Sequence, residues 1–156
     1  MSLARRVTLP AAILSLAIGA AAYAQQEFSG AINARQGHMQ IMAFNVGILG
    51  NMARGNTEYD AAAATTAASN LAALAMVDGR GYWVPGSDNG AVETTRALPA
   101  IWEDMAGFGA DWQAYGEAVT GLQAAAGNGL DALRGAMGPL GNACGTCHDD
   151  FRQPSD

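Results

Sequence analysis

Apolar residues recur along this chain at alternating steps of four and three, the spacing that gathers them on one face of an α-helix. Four segments carry the pattern. In the first, Phe28, Ile32, Arg35, Met39, Met42, Val46 and Leu49 form a stripe with one charge set on it, and Gly55-Asn56 closes the segment. The second opens behind Asp60, a good N-cap residue, and carries Ala64, Ala68, Leu71 and Ala75 through about Met76. Its small side chains predict close packing. Pro99 suits the first turn of the third, whose stripe is Ile101, Met105, Phe108, Trp112, Tyr115, Val119 and Leu122, ended by Gly127-Asn128-Gly129. The fourth runs Leu130, Leu133, Met137, Leu140, Cys144, Cys147 and Phe151, with a bend expected at Gly138-Pro139. Residues 78–97 read as a long glycine-rich loop anchored by Tyr82, Trp83 and Val84. Four amphipathic helices with two short links and one long crossover predict an all-α, antiparallel four-helix bundle in one domain.

Ahead of the stripes lies a different pattern. Arg5 and Arg6 precede an apolar run from Leu9 to Ala22, and Ala22-Tyr23-Ala24 reads as an A-x-A cleavage site. Residues 1–24 are therefore expected to be a cleaved signal peptide, leaving residues 25–156 as the domain. The run is short for a membrane span, so an uncleaved anchor is the lesser reading. Abundant alanine and glycine with few β-branched residues favour helix over sheet. The whole chain has a formal charge of −6 and no lysine. Such a surface repels nucleic acid and anionic membranes. A docking partner should be positively charged, or the contact mainly apolar.

The chemistry is concentrated in Cys144-Gly145-Thr146-Cys147-His148, which holds both cysteines and one of the two histidines. C-x-x-C-H is the attachment signature of c-type haem. Its thiols add to the porphyrin vinyl groups, and the adjacent imidazole ligates the iron. Two other readings compete. A redox-active C-x-x-C needs a lowered thiol pKa beside a strand, and no strand pattern lies near. Zinc needs four ligands, which would use Cys144, Cys147, His148 and His38 together. Export favours one covalent haem c per chain, since c-type haem is attached after translocation. The compartment is then a bacterial periplasm. Arg35 either covers apolar surface with its stem while its head reaches water, or aims its guanidinium at a haem propionate.

With these residues in place, the chain resembles the class II cytochromes c, the cytochrome c' family. The resemblance runs from Phe28 to Arg152 and is strongest in Cys144-Gly145-Thr146-Cys147-His148-Asp149-Asp150-Phe151-Arg152. Arg35-Gln36, Tyr59-Asp60-Ala61-Ala62 and Ile101-Trp102 support it. It implies a left-handed bundle with His148 as axial ligand and Arg35 and Gln36 near the propionates. It places Thr95 and Arg96 loosely in a further propionate-contacting position, and it implies that a homodimer through the first two helices is open to the chain.

The resemblance also makes Met39 the residue facing the iron opposite His148. Met39 is either a thioether ligand, which raises the reduction potential, or core packing. The setting Arg35-Gln36-Gly37-His38-Met39 resembles the low-spin members somewhat more, so ligation is the reading adopted, and His38 is expected at the surface or flank. The function that follows is a periplasmic electron carrier with an unidentified redox partner. The alternative is a five-coordinate haem protein that binds or scavenges nitric oxide or carbon monoxide. No acid–base or nucleophile constellation lies near the motif, so no enzyme is expected.

Overall fold

The computed structural model describes residues 10–154, with side chains from Glu27 onward. Five helices form among the described residues: α1 (Pro10–Arg54), α2 (Ala61–Ala75), α3 (Ala100–Glu103), α4 (Met105–Ala125) and α5 (Leu130–Phe151). There are no strands among them, only an isolated antiparallel bridge between Ala97 and Arg152. Residues 1–9 of the expected leader lie outside the described part. From Pro10 the chain is helical straight into the first stripe. None of the described helices is long and apolar enough to cross a membrane.

The stripes become the interior. Leu49, Leu71, Leu122, Leu133 and Leu140, from four different helices, are all 0% exposed and belong to one apolar cluster. On α2 the buried residues are Ala64, Ala67, Ala68 and Leu71. Small side chains let the backbone approach α1 and α4 closely, as the pattern predicted. Asp60 caps α2 by accepting from the Ala62 and Ala63 amides at 2.8 and 3.0 Å. Tyr59 fastens the two short links together. Its hydroxyl donates to the Ala126 carbonyl at 2.8 Å and accepts from the Gly129 amide at 3.0 Å. Gly129 enters α5 with φ 109°, a conformation open mainly to glycine.

One detail differs from the pattern. The third stripe is interrupted at Asp104, which leaves helical geometry (φ −130°, ψ 65°) and caps α4 by accepting from the Gly107 amide. The local hydrogen bond of an aspartate outcompetes helix continuation there, so Met105 falls out of the seam and is 50% exposed. Pro139, by contrast, leaves α5 a single helix. The long connection contains one short 3-10 turn, Gly79–Gly81. A smaller apolar cluster of Ala97, Ile101, Phe108 and Phe151 closes the bundle beside this loop, with Trp83, Trp102 and Cys147 packed on it.

Leu71→Ala, at the fully enclosed centre, is expected to cost roughly 2–5 kcal/mol, and Asp60→Ala, at an exposed cap, roughly 0.5–2 kcal/mol. Chemical denaturation of the haem-loaded protein checks both the magnitudes and their order.

Candidate functional site: a thiol–imidazole cluster facing an apolar chamber

Helical geometry puts Cys144 and Cys147, three residues apart, on one face of α5. Both are half-buried and unpaired. Two cavities of about 430 and 290 Å³ adjoin them, and Met39, Gln40, Cys147, His148 and Arg152 line both. Their volumes are of the order of the roughly 300–1,000 Å³ of cofactor sites. The larger lies between α1, α4 and α5, walled by Met42, Val46, Trp112 and Tyr115 and reached by Cys144. The smaller is bordered by the long loop, α4 and the end of α5, through Trp83, Thr95, Phe108 and Phe151. Met39 from α1 and His148 from α5 thus face one shared space from opposite helices.

Electrostatics separates the readings of the motif. Burial, with the charge of Asp111 adding to it, pushes the Cys147 thiol up to about 11. Burial likewise raises Cys144. A redox-active C-x-x-C needs the opposite shift. A four-ligand zinc site fails on geometry, because His38 lines neither cavity. Among the described residues, no group of three or more His, Cys, Asp or Glu could hold a metal ion. The His148 imidazole is lowered by burial, then by the charges of Arg152 and Arg96. It is therefore kept neutral, the form that ligates a metal. Free thiols one turn apart, a neutral imidazole beside them and a contiguous apolar space fit a haem.

Arg35 is 3% exposed, so its head does not reach water. Nη1 donates to the Tyr82 carbonyl at 3.2 Å and to Ser87 Oγ at 2.7 Å. Nη2 donates to the Ser87 carbonyl at 2.5 Å and to Thr95 Oγ1 at 2.8 Å. The guanidinium lies 5.1 Å from the Trp83 ring centre. It binds the long loop to α1 while bordering the smaller cavity. Gln36 does the same from the surface, donating to the Thr94 carbonyl at 2.7 Å. Arg96 is exposed and donates to the Gln153 carbonyl, and it too borders the smaller cavity.

His38 is not at the surface or flank. It is 7% exposed, and its Nδ1 lies 2.6 Å from the Tyr82 hydroxyl. Its Nε2 is enclosed without a hydrogen-bonding partner. The buried residues of α1 include Ile32, Arg35, His38, Met42, Asn45, Leu49 and Met52. The predicted stripe holds at Ile32, Arg35, Met42 and Leu49, while His38 and Asn45 are buried in place of Met39 and Val46, which border the chamber. Arg152, which lines both cavities, was missed by the sequence reading. It stands one turn after His148, so helical spacing from the motif could have found it. Trp83 and Tyr82 sit on a loop with no period to follow.

A bundle that opens a C-x-x-C-H motif near its C-terminus onto such a chamber defines a helical-bundle c-type haem protein. The family description Cytochrome C' matches residues 30–152, and the chain belongs to the cytochrome c' family. It carries one covalently bound haem c. It is 44% identical over 138 residues to cytochrome c-554 of Cereibacter sphaeroides, covering 88% of this chain and 90% of that one. To cytochrome c' of the same organism it is 43% identical over 148 residues, covering 95% and 97%. The solved cytochrome c' from Rhodobacter Spheriodes superposes with a TM-score of 0.80 at 41% identity, covering 82% of this chain and 98% of that chain. A nitric oxide complex of a cytochrome c prime variant from Alcaligenes xylosoxidans does so with 0.71 at 32% identity, covering 82% and 97%. A carbon monoxide-bound variant of the same protein gives 0.70 at 32% identity, covering 81% and 97%.

Arg35→Lys cannot reach both lobes of the loop, since one ammonium replaces a two-pronged donor. Losing those bonds is expected to cost about 1.5–3 kcal/mol and to remove hydrogen-exchange protection between residues 82 and 95. His38 supplies a pH dependence. Burial lowers its pKa from 6.5, and the Leu74 carbonyl offsets this only in part. Below pH 6.5 the unfolded state therefore binds the proton first, and stability falls as pH drops until the folded ring also titrates. His148 acts with the same sign. His38→Leu should flatten the curve of folding free energy against pH in this window without abolishing the slope.

Proposed function

We propose that Cys144 and Cys147 hold the haem through thioethers, that His148 ligates its iron, and that the opposite face takes a diatomic gas of the nitric oxide and carbon monoxide class. The observation that carries this is the character of the chamber facing His148. Met39, Met42, Val46, Trp112 and Tyr115 form an apolar wall, and the chain's other histidine is withdrawn from it to Tyr82. Two variants of one relative of similar fold hold nitric oxide and carbon monoxide. When bound, the haem supplies a redox-active iron with an open coordination position. The chain's own residues exclude water from that position and keep His148 neutral. Arg35, Gln36, Thr95 and Arg96 border or adjoin the smaller cavity, where acidic groups of the cofactor would meet positive charge.

A second reading rests on Met39 itself, which lines both cavities together with His148. With its sulfur on the iron, the protein is an electron carrier for an unidentified redox partner and needs no catalytic residue. Under either reading residues 1–24 are a cleaved signal peptide and the working compartment is the periplasm, supported by the n-region, apolar run and A-x-A site. A homodimer through α1 and α2 is supported by Ile41 and Phe44, which α1 leaves 52% and 69% exposed.

Ferric and ferrous absorption spectra of the haem-loaded protein, taken with and without carbon monoxide, separate the two. Gas binding predicts a high-spin spectrum, fast carbon monoxide binding with no slow preceding step, and faster binding in Met39→Ala, where bulk over the iron is removed. A low-spin spectrum with a long-wavelength methionine band that disappears in Met39→Ala would overturn it in favour of electron transfer.

A further inference from the structure

A series of ring contacts runs unbroken from Phe108 through Trp83, Tyr82 and His38 to Trp112. Its ends border the chamber: Phe108 and Trp83 the smaller cavity, Trp112 the larger. Its middle pair borders neither. Tyr82 stands one ring behind Trp83, with centroids 6.2 Å apart, and His38 one ring behind Trp112, at 5.7 Å. Between them is the 2.6 Å contact of the phenol with Nδ1.

Anchoring the loop does not account for this pair. The Tyr82 carbonyl is already held by Arg35, and Ser87 and Thr95 are held by the same guanidinium. Two apolar side chains would fill the space without burying an imidazole and a phenol. A polar pair in this setting asks for a chemical reason. With the hydroxyl donating, His38 Nδ1 is a base placed on the phenolic proton, within the distance that proton transfer requires.

We propose that Tyr82 is a redox-active side chain that returns one electron, through Trp83, to the oxidised haem while passing its phenolic proton to His38 Nδ1. The oxidant is a peroxide. Hydrogen peroxide takes two electrons from the cofactor and, with two protons from solvent, leaves as two waters. Tyr82 then gives back one electron. Its O–H bond breaks, an N–H bond forms at Nδ1, and a neutral tyrosyl remains beside an imidazolium. The cofactor is left one electron short of its starting state. Without the acceptor, oxidation would leave a cationic phenol in a half-buried site, which apolar surroundings disfavour. The pair thereby draws an oxidising equivalent out of the chamber. It rests on the open coordination position proposed above, because the peroxide must reach the iron.

The test is to mix the ferric haem-loaded protein with hydrogen peroxide and freeze it for electron paramagnetic resonance. The expected result is a tyrosyl signal that narrows with ring-deuterated tyrosine, is lost in Tyr82→Phe and survives Tyr59→Phe. Its yield should fall several-fold in His38→Leu, where Tyr82 is untouched. In the unaltered protein a nitroso spin trap should attach to Tyr82, as mapped by mass spectrometry, which keeps the test independent of how well the variants fold. A peroxide that leaves the haem spectrum unchanged, an oxidised haem with no protein radical, a signal that survives Tyr82→Phe, or trap adducts on other residues would each overturn the proposal. A purely structural pair predicts only a lower melting temperature in Tyr82→Phe.

Discussion

The arrangement depends on one buried cation. Arg35 is enclosed without a carboxylate bonded to it; Asp88 acts on it only through its charge. A guanidinium taken out of water is costly unless its donors are satisfied, and here carbonyl and hydroxyl oxygens of the long loop satisfy them. That requirement runs both ways, because the loop has little regular structure of its own. Its buried Ser87 and Thr95 meet at the guanidinium. Thr95 in turn accepts from the Ala97 amide, Ala97 bridges to Arg152, and the Leu98 amide donates to the Phe151 carbonyl. The last turn of α5, which carries His148, is thereby tied to the middle of α1.

The same contacts set how far α1 is turned about its axis. Arg35 and His38 both take hold of Tyr82, one at its carbonyl and the other at its hydroxyl. Further along, Asn45 is 2% exposed and accepts from Asn70 of α2 at 3.0 Å. With these polar grips on one side, Met39 and Val46 are left to border the chamber. That rotation puts Met39 on the border of both cavities, together with His148.

Charge is distributed to match. The chain is acidic as a whole, yet Arg35, Arg96 and Arg152 all border the smaller cavity. The larger cavity is walled mainly by apolar side chains. One end of the chamber is therefore suited to acidic groups and the other to uncharged ones. The elevated thiols and neutral imidazole belong to the same low-polarity setting.

Much of this was legible in the residue order. Helix period identified the four stripes, Asp60 marked a helix start, and C-x-x-C-H specified the cofactor, since these signals are local and repeat at fixed spacing. Position along the chain added the family. What no period reveals is how an irregular segment folds back. The loop brings Tyr82, Trp83, Ser87 and Thr95 to α1 across more than forty residues, and only the packed tertiary structure decides such contacts. For that reason the helix period misses that His38 is buried and that Arg35 grips a loop while bordering the smaller cavity. Met105 was counted in a seam that Asp104 interrupts. Sequence alone determined that this is a helical bundle of a haem-binding family with C-x-x-C-H on its last helix. Tertiary structure decided which way the first helix faces the chamber, because rotation about a helix axis is set by polar partners far away in the chain.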